Sequence, residues 1–147
     1  MMNVSIRPIG PNDYAEVSTI WREVLDVPFV TAEWAASFYE DVKNDANYET
    51  YVAEADCRVV GLVTTVVTRS IEFPKNGYTK VNGLAVLPEY QGRGIGRKLL
   101  ETIEARAAER GAGHIVLASG MQRTEAHKFY ECVGYKKTSF WFRKNLD

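Results

Sequence analysis

Cysteine is scarce in this chain, with only Cys57 and Cys132 among 147 residues. Two thiols make no disulfide framework, which excludes a small stapled fold; the cytosol is the expected compartment, with both thiols reduced. Histidine is equally rare, and no spacing of His, Cys and carboxylate suggests a structural zinc site, so no metal is expected. Charge of one sign is lacking too. Eighteen Lys and Arg against 19 Asp and Glu leave a formal charge of −1, which gives no bulk attraction to nucleic acid or an anionic membrane. The longest apolar run, "VVGLVTTVV", is too short to span a bilayer. The start "MMNVSIRPIG" has no basic segment followed by an apolar one, so no signal peptide is read there. Repeats, low-complexity tracts and linkers are also missing. One domain over residues 1–147 is expected, large enough for a real core.

What is present is a regular alternation of elements. "NVSIRPI" alternates apolar and polar residues and reads as a strand. Asn12 or Asp13 can cap a following helix, with Glu16 placed as in a capping box. Val17, Ile20, Trp21, Val24 and Leu25 form its apolar face, and Pro28 breaks it. Thr31 caps a second helix with a stripe of Trp34, Ala35, Phe38, Tyr39 and Val42, aromatics read mostly as core. "ETYVAEA" and "RVVGLVTTVVTRS" are strands joined by a tight turn at Asp56-Cys57. Such a turn favours Asp-Gly, because it needs positive φ, so Cys57 is out of place. "IEFPKNG" is a loop and "YTKVNGLAV" a strand. Ile95, Leu99, Ile103 and Ala107 then mark a helix ending at Gly111. "HIVLAS" is a buried-type strand, Thr124 caps a last helix stopped by Gly134, and "YKKTSFWFRK" reads as a last strand. The order is β-α-α-β-β-β-α-β-α-β. The expected fold class is α/β, a mixed sheet with helices on its faces.

The chemistry concentrates in "LPEYQGRGIGRKLL". Gly92, Gly94 and Gly96 let the backbone turn sharply and approach a ligand. The helix that follows offers unpaired N–H groups and the positive end of its dipole, which together suit an anion. A Walker loop needs Gly-Lys-Ser/Thr, and this run ends Gly-Arg-Lys. A dinucleotide fingerprint needs G-x-G-x-x-G directly after a strand and an acid closing the next strand. Here the spacing is G-x-G-x-G, three residues intervene after Leu87, and "HIVLAS" closes without an acid. A glycine-rich turn that holds nothing is the plain alternative.

Gln91-Gly92-Arg93-Gly94-Ile95-Gly96 also fits Q/R-x-x-G-x-G/A. It resembles the pyrophosphate-binding motif of the GNAT superfamily, the GCN5-related N-acetyltransferases. Gly83-Leu84-Ala85-Val86 precedes it, like that family's strand. Ala126-His127-Lys128-Phe129-Tyr130-Glu131-Cys132-Val133-Gly134-Tyr135 resembles its later helix, A-x-x-F/L-Y-x-x-x-G-F/Y. The element order is similar as well, so the resemblance covers nearly the whole chain. Arg123-x-x-Ala126-His127-x-Phe129-Tyr130 and the Phe142-x-Lys144 ending look most like small bacterial members that act on small-molecule amines, aminoalkylphosphonates among them. The resemblance implies a mostly antiparallel sheet and acetyl transfer from acetyl-CoA to an amine in a ternary complex. Acetylation of protein lysines or N-termini, and a non-catalytic CoA-binding module, are the alternatives.

The resemblance also assigns residues. Backbone N–H groups from Gln91 through Gly92, Arg93, Gly94, Ile95 and Gly96 to Arg97 would cradle the pyrophosphate as a nest. Arg93, Arg97 and Lys98 would add charge, or simply form a solvated helix face. Leu84, Ala85 and Val86 would offer backbone hydrogen bonds to the pantetheine arm, with Gly83 admitting a bulge and one N–H polarising the thioester carbonyl. Tyr130 is the candidate general acid: a thiol with pKa ~8.5 departs as thiolate, and a phenol near ~10 can protonate it. Otherwise Tyr130 is an ordinary helix-stripe aromatic. The family's glutamate base position holds Lys80, with Asn82 nearby, so a direct carboxylate base is in doubt; Glu72 and Tyr78 are the substitutes, or the amine arrives deprotonated. His114 reads as a surface residue, His127 as a neighbour of the cofactor motif and Cys132 as a small buried hydrophobe. The 26–34 segment is where family members shape the acceptor site. An exposed last strand bearing Phe140, Trp141 and Phe142 would pair with a second chain, giving a homodimer.

Overall fold

The structure is a computed structural model that describes residues 3–73 and 76–147. Pro74 and Lys75, in the loop read from "IEFPKNG", lie outside the described residues, as do Met1 and Met2. The chain divides into two compact units, one up to Val116 and one from Leu117 to Asp147. The first carries β1 (Ser5–Pro8), α1 (Tyr14–Glu23), α2 (Ala32–Val42), β2 (Tyr48–Ala55), β3 (Arg58–Thr68), β4 (Tyr78–Val86) and α3 (Ile95–Glu109). β5 (His114–Leu117) ends at the boundary, and α4 (Thr124–Cys132) lies in the second unit.

The sheet has the order β1-β2-β3-β4-β5, and the first four strands pair antiparallel. β4 and β5 start side by side, with Gly113 N–H donating to Gly77 O at 2.8 Å. Strands that start together after a helical crossover run parallel, so the sheet is mixed and mostly antiparallel. β3 is buried on both faces, which is why it reads as a continuous apolar run. Val60, Leu62 and Val63 on β3, Val17 and Ile20 on α1, and Ile95, Leu99, Leu100 and Ile103 on α3 are at most 2% exposed. Each such side chain contributes about 1.5–3 kcal/mol by leaving water.

Several local signals are realised. Asp56 and Cys57 have φ of 52° and 60°, and Ala55 pairs with Arg58, so the β2–β3 connection is a two-residue turn of primed type. Thr31 accepts from Trp34 N–H at 3.1 Å and caps α2. Gly111, at φ 78°, ends α3, and Ala112 N–H reaches back to Ala107 O at 3.0 Å. Gly134, at φ 102°, follows α4, and Tyr135 N–H donates to Tyr130 O at 2.9 Å.

Other readings need correction. Asp13 stands at the N-cap position of α1, but its side chain makes no cap bond to that helix: it closes the preceding 3-10 turn (Pro11–Asp13) by accepting from Gly10 N–H at 2.8 Å, and Glu16 accepts from Val59 N–H at 3.0 Å instead of completing a capping box. α1 ends at Glu23, before Pro28, because the chain turns left-handed at Asp26, φ 58°. Thr124 is the first residue of α4 and not its cap, which is Arg123. Trp34 and Phe38 are exposed, although they share α2 with buried Ala35 and Tyr39; the stripe is wider than the face that α1 covers. Cys132 is exposed as well. The last strand is absent among the described residues: no strand follows α4. Residues 136–144 carry β-forming aromatics, yet no strand is assigned to them, and Phe140, Trp141 and Phe142 stand exposed; propensity by itself does not make a strand.

Candidate functional site

The site begins at the end of β4. Thr64 pairs with Gly83 and Thr65 with Val81, so Asn82 is an extra residue and β4 bulges there. The reason for a glycine beside it is steric. A Cβ on Gly83 would lie 2.6 Å from the Trp21 indole, so α1 presses its tryptophan onto the bulge only because Gly83 has no side chain. β5 has four residues against nine in β4, and the two start level. Leu84, Ala85 and Val86 therefore run past β5's end. Ala85 is buried, while Leu84 and Val86 are half-buried.

A second bulge receives the chain as it leaves β4. Glu54 pairs with Val59 and Ala53 with Gly61, so Val60 is extra on β3, and its carbonyl accepts from Leu87 N–H at 2.8 Å. A 3-10 turn (Pro88–Tyr90) follows and delivers the glycine loop. Gly92 and Gly94 have φ of 76° and 82°, a conformation that L side chains resist. No heavy atom lies within 4 Å of where their Cβ atoms would be, so this backbone is open to a ligand on the glycine side. Gly94 O accepts from Lys98 N–H at 3.1 Å and starts α3. The N–H groups of the first α3 turn then have no intrahelical acceptor. Ile95, 1% exposed, and Leu99, 0%, pin that turn to the core.

The side chains of the loop do different jobs. Gln91 Nε2 donates to Val86 O at 2.9 Å, so its amide braces the loop against β4. Arg97 and Lys98 are exposed. Arg93 lies over the Tyr90 ring, 5.3 Å from its centroid, and Arg58 lies over the same ring at 5.7 Å. The buried Tyr90 donates its hydroxyl hydrogen to Asp56 Oδ2 at 2.8 Å. Tyr90 and Asp56 were missed in the sequence; the one signal was a strained turn whose second residue is not glycine.

Of the substitutes for a carboxylate base, none is well suited. Lys80 is half-buried and Asn82 is exposed on the bulge. Glu72 is exposed and accepts from Ser70 Oγ, which holds its carboxyl below the usual range and makes it a weaker base. The Tyr78 ring stacks on His114, centroids 5.2 Å apart, with Phe73 against both. His114 is thus a packed aromatic neighbour, although its residue surface is exposed.

In the second unit Tyr130 is half-buried on α4, its ring 5.6 Å from Phe129 and 6.2 Å from Tyr135. Burial pushes its phenol up and Arg123 partly offsets this, so the hydroxyl stays protonated at neutral pH. His127 bonds through Nε2 to Gly120 O at 2.8 Å and closes the loop before its helix. Ser119 Oγ in that loop is buried with no partner among the described residues. Among the described residues, no group of three or more His, Cys, Asp or Glu could hold a metal, and no helix is long and apolar enough to cross a membrane.

This geometry has relatives. The family model of the acetyltransferase (GNAT) family matches residues 15–135. An aminoalkylphosphonate N-acetyltransferase from Salmonella typhimurium is 29% identical over 133 residues, 90% of this chain and 82% of that protein. Two solved structures share the fold at low identity. An aminoglycoside N-acetyltransferase in complex with CoA superposes with a TM-score of 0.84 at 15% identity, over 99% of this chain and 97% of that one. Glucosamine-6-phosphate N-acetyltransferase from Arabidopsis thaliana gives 0.85 at 17%, over 99% of both chains. The bulged strand, the left-handed glycines and the match over residues 15–135 lead to one conclusion: the chain belongs to the acetyltransferase (GNAT) family and is an acetyl-CoA-dependent N-acetyltransferase.

Proposed function

We propose that this enzyme transfers the acetyl group of acetyl-CoA to the primary amine of a small molecule, and that residues 1–147 act as one acetyltransferase domain in the cytosol. The observation that carries this reading is the loop itself. Gly92 and Gly94 turn the backbone left-handed, with open space where their side chains would be, and lead straight into α3, one short 3-10 turn after a strand end that outlasts its neighbour. A pyrophosphate suits the first N–H groups of α3, because they sit at the positive end of the α3 dipole. Leu84 and Val86 offer main-chain groups to an amide arm as an added strand would. The likeness to an aminoalkylphosphonate N-acetyltransferase favours a small acceptor.

Each residue then has a task. A backbone N–H at Leu84 or Ala85 donates to the thioester oxygen as the amine nitrogen adds to the carbonyl carbon. The C–N bond forms, the C–S bond breaks, and the nitrogen loses a proton to solvent, which returns one to the Tyr130 phenolate after turnover. Tyr130 gives its phenolic proton to the departing sulfur. With Glu72 held low by Ser70 and Lys80 at the family's glutamate position, the amine enters in its neutral form. The products are an N-acetyl amine and CoA thiol. The test is a panel of small primary amines with acetyl-CoA, read by release of free thiol, beside peptides with free lysines or N-termini. Amine-dependent thiol release from the small molecules is expected. Release with peptides alone would overturn the small-molecule reading.

A further inference from the structure

We propose that the β2–β3 turn, Asp56 to Arg58, is a positioning element for the acetyl-CoA loop, acting through Tyr90. The inference rests on the reading that residues 91–97 hold the pyrophosphate. Tyr90 is the last residue before the loop and is 8% exposed. Its hydroxyl bonds to Asp56 across 34 positions of sequence. Arg58 reaches Glu89 at 3.6 Å, on the same 3-10 turn, and lies over the Tyr90 ring as Arg93 does. Side chains from one turn therefore hold the loop's entry at three points: the Tyr90 hydroxyl, the Tyr90 ring and Glu89.

The need for such an anchor follows from the loop's composition. Glycines at 92, 94 and 96 give the unbound backbone many conformations, and binding must restrict them. Fixing the residue at each end lowers that entropic cost and strengthens binding. Ile95 and Leu99 fix the exit in the core. Tyr90 fixes the entry, and Asp56 fixes Tyr90. The turn conformation fits the task. Asp56 and Cys57 both hold positive φ, where glycine would be less strained at either position. A glycine at 56 would lack the carboxylate that Tyr90 uses. The carboxylate also pushes the Tyr90 phenol up, so it remains a donor through the neutral range.

The test compares acetyl-CoA affinity by calorimetry with steady-state kinetics. Tyr90→Phe keeps the ring under both guanidinium groups and removes only the hydroxyl. Asp56→Gly keeps the turn and removes the acceptor. Each should raise the Kd for acetyl-CoA about 3- to 10-fold, the change falling on KM for acetyl-CoA and not on kcat. The double variant Tyr90→Phe/Asp56→Gly should be no worse than either single one, since both break one contact. Asp56→Asn, which tolerates positive φ and retains an acceptor oxygen, should bind close to wild type. Single variants with Kd within twofold of wild type, their melting temperatures lowered or not, would overturn the proposal, as would losses that add in the double variant. Gly94→Val is the reference. If it loses affinity while Tyr90→Phe does not, the anchor fails and the loop reading stands. If Gly94→Val also binds normally, both fail.

Discussion

Tyr130 shows how one side chain can be tested for chemistry apart from packing. Its ring sits between Phe129 and Tyr135, so Tyr130→Phe leaves the packed surface in place. A hydroxyl that protonates the departing thiolate matters once charge develops on sulfur. Single-turnover acetyl transfer should slow by roughly 10²–10⁴-fold, with acetyl-CoA affinity little changed. A packing role would instead leave the chemical step intact and lower the melting temperature. The sequence made Tyr130, Gly92 and Gly94 legible because a phenol at a fixed helix position and glycines at alternate positions each have a local physical reason. It left the bond between Asp56 and Tyr90 unread. Their bond spans the sheet's turn and the loop entry, and no local pattern records such a pairing.

At the scale of elements, the join between β1 and α1 carries a testable charge pair. Arg7 donates to both oxygens of Asp13, at 2.7 and 2.9 Å, and Gly10 N–H adds a third bond. Asp13 is 5% exposed, and the Arg7 hydrogen bond holds its carboxyl below the usual range. A depressed folded pKa contributes stability that is present above the unfolded value, ~3.9, and is lost as pH falls through the folded one. Asp13→Asn should cost about 2 kcal/mol near pH 7, less than a fully buried pair because the Arg7 side chain is partly exposed. The gap in unfolding free energy between wild type and variant should close as the pH drops below about 4. A gap that stays constant to pH 2 would contradict the assignment. Turns and helix ends were legible here because Asp56-Cys57, Gly111 and Gly134 act through their own backbones and Thr31 through a hydroxyl three residues from its partner. The last strand was not. Its aromatics satisfied propensity, whereas a strand is decided by a partner that sequence pattern does not name.

For the molecule as a whole, the order of elements from β1 to α4, the sheet type and the family were legible. Period-2 runs, the α3 stripe and two motifs spread over residues 83–135 agree with one architecture. Assembly is a proposal. Phe140, Trp141 and Phe142 are 85%, 68% and 91% exposed, and a second copy could cover them in a homodimer. Sedimentation at micromolar concentration should give twice the 16.6 kDa chain mass, and a single-chain mass would remove the idea. The central claim is that the loop backbone, more than its arginines, holds acetyl-CoA. Its most direct test is calorimetric titration of acetyl-CoA into wild type, Gly94→Val and Arg93→Ala. Valine at φ 82° forces the loop out of its left-handed turn, whereas Arg93→Ala leaves every backbone donor in place. The account predicts a larger loss of affinity for Gly94→Val than for Arg93→Ala. The reverse order would contradict it.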